Sequence, residues 1–230
     1  MADLSGLRVA VTGAGRGIGR SIVLRLASAG AHLAATHLAL AIGTYGFNLF
    51  LPLIIKQINP AYSATNIGFT AAVPYICAAL SLMVTAQLSK RARERKYLVA
   101  VPLALGAVGL AAVIALRHHP GPAVVALAVT GIGAFAWLPA FWALTTDSLS
   151  RTHAAVGVAA INSIGNLGGF FGPYIVGKET DGDTVTAGLL VPVVSLAVSV
   201  VLILLWRSPA RQPGSETGPA PVADAPATAR

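Results

Sequence analysis

The sequence predicts an all-α membrane fold: six transmembrane helices, preceded by a short βα fragment and followed by a disordered tail. Three observations carry this expectation. Of 230 residues, 55% are hydrophobic and only 10% are charged, where an ordinary soluble domain is about 25% charged. So few charges could hardly cover the surface of a soluble fold of this length. The second observation is a set of six long apolar runs between residues 37 and 206, each able at 1.5 Å per residue to cross a hydrocarbon core of about 30 Å. The third is charge placement, since nearly every charge in that region falls between runs rather than within them. The apolar excess excludes disorder for the chain as a whole, and the single Cys77 excludes a disulfide scaffold. A net charge of +8 invites nucleic acid as a partner. Phosphate binding, however, needs Lys and Arg clustered on a soluble face with polar support, so the lipid bilayer is the expected partner and nucleic acid is not.

Residues 1–35 form the first predicted unit. Leu7-Arg8-Val9-Ala10-Val11-Thr12 reads as a short buried strand, followed by the glycine turn Gly13-Ala14-Gly15-Arg16-Gly17-Ile18-Gly19 and an amphipathic helix through about Ala29. Residues 36–206 hold the six spans, approximately His37–Ile58, Ile67–Leu88, Tyr97–Leu116, Ala123–Thr145, Ala154–Gly177 and Gly188–Trp206. Glycines and prolines inside them, such as Pro52, Pro74, Pro102, Gly106, Pro139 and Pro173, would be faults in soluble helices. Membrane helices tolerate them because neighbouring helices satisfy the freed backbone groups. Residues 207–230, rich in Pro, Ala, Gly and Thr without apolar periodicity, read as a disordered cytoplasmic tail. Basic residues gather on the untranslocated side of a membrane. Thirteen of them (Arg8, Arg16, Arg20, Arg25, Lys90, Arg91, Arg93, Arg95, Lys96, Arg151, Arg207, Arg211 and Arg230) would share one side, against Lys56, Arg117 and Lys178 on the other. The expectation is an integral protein of the inner (plasma) membrane with six spans and both termini in the cytoplasm.

A strand, a glycine turn and a helix are the first half of a nucleotide-binding βαβ unit, in which the glycines let the backbone approach a pyrophosphate at the helix N-terminus. The string Thr-Gly-Ala-Gly-Arg-Gly-Ile-Gly at 12–19 and its flanks resemble the amino terminus of the short-chain dehydrogenases/reductases, a Rossmann-like family. That resemblance implies an NAD(P)-dependent oxidoreductase, but it covers about 35 residues and then stops. No acidic residue closes a second strand and no further βα unit follows, so Gly13, Gly17 and Gly19 are expected to be a vestige without a cofactor. Tyr174-Ile175-Val176-Gly177-Lys178 has the Tyr-x-x-x-Lys spacing of that family's catalytic pair. It is read as chance, because it ends a membrane span, and no catalytic residue is assigned.

The longer resemblance is carried by Tyr45-Gly46-Phe47-Asn48-Leu49-Phe50-Leu51-Pro52, Pro74-Tyr75, Pro139-Ala140-Phe141-Trp142, and Ile161-Asn162-Ser163-Ile164-Gly165-Asn166-Leu167-Gly168-Gly169-Phe170-Phe171-Gly172-Pro173. From about Thr36 to Trp206 the chain resembles the carboxy-terminal half of a major facilitator superfamily transporter, most closely its anion:cation symporter branch. Apart from the family, the fifth run combines small residues suited to close helix approach with amides at membrane depth. Asn162 and Asn166, four apart, share a helix face, where they either line a polar cavity or bond to a neighbouring helix. Tyr45 and Asn48 make a second pair, and Tyr75 and Trp142 lie beside or near prolines; Trp142 also suits an interface anchor. The resemblance favours Tyr45, Asn48, Tyr75, Trp142, Asn162 and Asn166 as substrate-facing. It also places Ala86 and Lys90 where a cytoplasmic Gly-x-x-x-Asp-Arg gating motif would have its glycine and aspartate, which puts that gate in doubt; the bland reading of the basic connector is a topology determinant. His118 and His119, an adjacent pair in a loop, are not taken as a metal site.

No predicted span carries a carboxylate, Lys or Arg at its centre, whereas proton-coupled anion transport requires charged groups and alternating access requires two halves. The leading expectation is a truncated secondary transporter of the superfamily, ancestrally an organic-anion (carboxylate) symporter coupled to a proton or cation. Its partner would be a homodimer mate or a separate amino-terminal half. Two other readings stay open: the NAD(P)-dependent oxidoreductase, and a membrane assembly subunit that does not transport.

Overall fold

The computed structural model describes residues 17–92, 94–149, 154–180 and 186–206, with the side chains of 17–29 and 154–156 excepted. Among these residues eight helices follow in order: α1 Gly17–Ile58, α2 Ala64–Arg91, α3 Arg95–Ala115, α4 Pro120–Phe135, α5 Leu138–Ser148, α6 Ala154–Asn166, α7 Gly168–Lys178 and α8 Leu190–Leu205. The connectors obey local chemistry. After α1, Lys56 Nζ donates to the carbonyls of Pro60 and Tyr62 at 2.7 and 3.0 Å, closing the turn with a cation at the negative end of the helix. Ser63 then caps α2 by accepting from the Asn66 amide at 3.3 Å. Pro120 opens α4 at a position where its missing N–H costs nothing.

Two breaks interrupt apolar runs. Between α4 and α5 the chain turns at Ala136-Trp137 just before Pro139, and the Trp137 indole N–H donates to the Ala134 carbonyl at 2.7 Å. Between α6 and α7 the Leu167 amide bonds to the Ile164 carbonyl at 3.2 Å, three residues back instead of four, which tightens the turn.

Packing follows the small residues. α1 is flanked by α6, α7 and α8; α3 packs on α4, α5 and α8; α2 leans on α4 and α5 with a slender edge to α1. One buried cluster joins Leu33, Leu40, Leu103, Trp137, Phe141, Ile161, Leu196 and Ile203, and a second joins Phe47, Leu51, Ile55, Leu110, Leu127 and Leu189. α3 and α4 touch backbone to backbone where Gly106 meets Gly133. In α2 only Pro74, Ala78, Thr85 and Ser89 are buried, and Phe69, Ile76, Leu80, Met83 and Val84 stand exposed. Such an apolar exterior is compatible with lipid contact and not with water.

Two expectations are corrected here. Among the described residues there is no strand, and the helix that starts at Gly17 runs without interruption past residue 35 to Ile58. A βα unit would have ended its helix near Ala29 and turned back toward a second strand, so the Rossmann-like fragment is not part of this fold. Gly17 and Gly19 sit in the first turn of α1, while the expected strand and Gly13 lie outside the described residues, as do Arg151 and the expected tail 207–230. The span count is also corrected, from six to four. Gly30–Ile58, Ala64–Arg91, Arg95–Ala115 and Pro120–Ser148 are long and apolar enough to cross a membrane. The last of these runs through α4, the turn at Ala136-Trp137 and α5 together. The expected fifth run, divided at Leu167 into α6 and α7 and diluted by Asn162, Ser163 and Asn166, is not among them, and neither is α8, whose 16 residues reach about 24 Å against a core of about 30 Å.

Candidate functional site

The contacts divide the six sequence-predicted residues into two groups. In the first, Asn48 of α1 and Tyr75 of α2 meet directly: the Tyr75 hydroxyl donates to Asn48 Oδ1 at 3.0 Å. The Asn48 amide nitrogen donates to the Thr44 carbonyl at 2.8 Å, so both ends of the amide are engaged. Tyr75 leans its ring on Phe135 at 6.2 Å between centroids. Tyr45, one turn before Asn48, lies over Gly169 of α7, where an added Cβ would stand 3.3 Å from the ring. Both tyrosines remain open, with about two fifths of their surface exposed: 42% for Tyr45 and 41% for Tyr75.

The second group centres on Trp142 of α5, which is half-buried. Its indole meets the ring of His37 edge-on, 5.2 Å and 80° apart, and meets Phe141 at 5.3 Å and 79°. His37, from α1, is 5% exposed, and its Nδ1 lies 3.2 Å from the Ile161 carbonyl of α6. Asn162 is the next residue, and Asn166 follows one turn later; both are exposed. The structure therefore brings Asn48 and Tyr75 into contact and links Trp142 to the helix bearing Asn162 through His37. The first group touches α7 through Tyr45, while Asn166 stands at the end of α6, just before the break.

His37 is the residue that sequence reasoning passed over. It was only the first residue of an expected span, although an imidazole amid an apolar run is itself a signal. The histidines that did draw notice, His118 and His119, lie in the exposed connector, where Arg117 Nε donates to His118 Nε2 at 3.0 Å. No group of three or more potential metal ligands occurs among the described residues. Tyr174 stacks on Phe170, 5.8 Å and 9° apart, and Lys178 is the last residue of α7. In the basic connector, Lys90 donates to Gln87 at 3.2 Å, and Arg95 donates to the Ser89 carbonyl at 3.1 Å while forming an ion pair with Asp147 of α5. That connector thus ties α2 to the end of α5 and is more than a run of positive charge.

Charged side chains in the described helices beyond residue 29 sit near helix ends: Lys56, Lys90, Arg91, Arg95, Lys96, Asp147 and Lys178. The six candidate residues are themselves uncharged: two phenols, an indole and three amides.

Comparison with known proteins bears on this architecture. A sequence profile described as Major Facilitator Superfamily matches residues 9–173, and so includes most of the stretch that resembled a dehydrogenase. A putative tartrate transporter of Agrobacterium vitis is 37% identical over 175 residues, covering 75% of this chain and 38% of the relative. A quinolone resistance transporter of Acinetobacter baumannii is 32% identical over 182 residues, 78% of this chain and 42% of the relative. The inner membrane transport protein RhmT of Escherichia coli K12 is 32% identical over 180 residues, 76% and 41% respectively. The chain spans about two fifths of the length of these relatives, which are named as transporters and not as enzymes. The dehydrogenase resemblance is corrected accordingly: residues 9–35 fall within the match to a transporter family, and from Gly17 onward the described chain runs through residue 35 to Ile58 as one helix. The chain is a partial membrane transporter domain, and it belongs to the major facilitator superfamily.

Proposed function

We propose that this domain forms one wall of the path by which a small organic anion crosses the membrane, coupled to a proton or another cation. The observation that carries the reading is the Tyr75–Asn48 hydrogen bond, which joins two helices at an exposed polar pair and leaves the second hydrogen of the Asn48 amide to donate onward. Tyr45, Trp142, Asn162 and Asn166 add further hydroxyl, indole and amide groups. A wall of this kind orients an anion but does not neutralise it. The charged groups that hold the anion and relay the proton would come from an opposing unit, either a second copy of this chain or a separate half-transporter. The resemblance to a tartrate transporter directs the choice of probe toward tartrate.

The test is counterflow of labelled tartrate into tartrate-loaded proteoliposomes holding the purified chain, with and without an inward proton gradient. The expected result is gradient-stimulated uptake that Tyr75→Phe and Asn48→Ala each lower about two- to tenfold, the size of one neutral hydrogen bond. Uptake that ignores both substitutions, or no uptake of tartrate or succinate at any protein density, refutes the proposal.

A further inference from the structure

His37 occupies a slot made by three elements. The Trp137, Phe141 and Trp142 rings surround its imidazole at 6.1, 5.3 and 5.2 Å. The Ile161 carbonyl, 3.2 Å from Nδ1, can only accept, so Nδ1 carries the hydrogen. The slot is closed by Gly165, where any Cβ would run into the imidazole ring. One buried side chain of α1 thereby grips a ring of α5 and the backbone of α6 together.

We propose that His37 is the positioning residue of the transport wall: it sets the Trp142 indole and the register of α6, so that Trp142 and Asn162 face the path in one fixed arrangement. The inference rests on the reading that these two residues face the solute. His37 acts through them and is not itself assigned contact with the solute. Gly165 is the matching half of the device, because only a residue without a side chain leaves room for the ring.

The experiment uses the full chain in lipid nanodiscs, labelled with 5-fluorotryptophan, which gives one fluorine resonance for each of its three tryptophans. Amide hydrogen exchange of α6 is measured in parallel. His37→Phe keeps a ring but removes the donor, whereas His37→Asn places an amide nitrogen where Nδ1 stood. The expected result is that both variants shift the Trp142 resonance, His37→Phe speeds α6 exchange at least tenfold, and His37→Asn restores it to within about threefold of wild type. An unmoved Trp142 resonance, or α6 exchange as fast in His37→Asn as in His37→Phe, overturns the proposal. Should the His37 variants fail to accumulate, Gly165→Ala, which keeps the imidazole but crowds it, is expected to give the same resonance shift and faster exchange, and wild-type behaviour in that variant is equally decisive. These readouts need no transport, so a failure of the His37 contacts and a failure of the transport reading are told apart: the first shows in the resonance and exchange data, the second in absent tartrate flux.

Discussion

Gly133→Ala tests the helix packing on which the site stands. A Cβ at Gly133 would lie 2.6 Å from the Pro102 carbonyl oxygen and closer still to the backbone of Gly106. Ordinary contacts between non-bonded heavy atoms lie at about 3.5–4.0 Å, so α3 and α4 would have to part by about 1 Å. The obstruction is backbone, which cannot rotate aside as a side chain would, and overpacking of this kind costs about 1–3 kcal/mol. The upper end applies here, offset by the gain of about 1 kcal/mol in helix propensity from glycine to alanine. The net loss is about 2 kcal/mol, or roughly 30-fold in the folding equilibrium. Gly68→Ala is the control: that position, in α2, has nothing within 4 Å of an added Cβ, so only the propensity gain of up to about 1 kcal/mol should remain. The assay is unfolding in mixed micelles by increasing dodecyl sulfate, followed by circular dichroism. The midpoint should fall for Gly133→Ala and stay or rise for Gly68→Ala. If both variants move the midpoint in the same direction, the backbone contact between α3 and α4 is wrong.

Three further outcomes are expected in the same unfolding assay. A double-mutant cycle of Asn48→Ala and Tyr75→Phe should show a coupling of about 0.6 kcal/mol, typical of hydrogen bonds between membrane helices, and a coupling of zero would discard the α1–α2 bond. Arg95→Ala and Asp147→Ala should each cost less than about 1 kcal/mol, because the Asp147 side chain is 65% exposed and water screens the pair; the exchanged pair Arg95→Asp with Asp147→Arg should recover most of that loss at low salt. Lys56→Met should cost about 0.5–1.5 kcal/mol by releasing the Pro60 and Tyr62 carbonyls, and should increase proteolysis in the 59–63 turn.

The spans that were legible in the sequence were those bounded by their own chemistry. α2 and α3 lie within three residues of their expected limits because Ser63 caps one and the charges from Lys90 to Lys96 separate them. The break at Leu167 was not legible, since hydropathy averaged over a membrane-length window runs straight through a turn made by one amide bonding three residues back. At the amino terminus the error was one of grouping. The helix expected after the glycine motif exists, but nothing in residues 30–36 ends it, and no proline or exposed polar cluster marks the boundary that the dehydrogenase resemblance suggested. A glycine pattern signals a phosphate loop only when a strand precedes it and a second follows the helix. In a membrane protein the same small residues also serve helix contacts.

The candidate site shows the same limit at the level of single residues. Asn48 and Tyr75 were separately visible as polar groups in apolar runs, but their bond depends on the angle between α1 and α2, which no local pattern encodes. Gly165, Gly168 and Gly172 were all read as small residues permitting close helix approach, yet they do different things. Gly168 and Gly172 admit the backbone of α1 at Leu38 and Ile42, whereas Gly165 admits an imidazole. The distinction lies in His37, 128 positions away, and it exists only once α1 and α6 are packed. It also has a consequence for substitution: alanine at 168 or 172 should push two helices apart, while alanine at 165 should first displace a ring and change the Trp142 environment before it changes helix spacing. Comparing the Trp142 resonance in Gly165→Ala and Gly168→Ala separates the two kinds of glycine. An equal shift in both would mean that His37 responds to helix spacing alone, and its slot would then be an incidental product of packing.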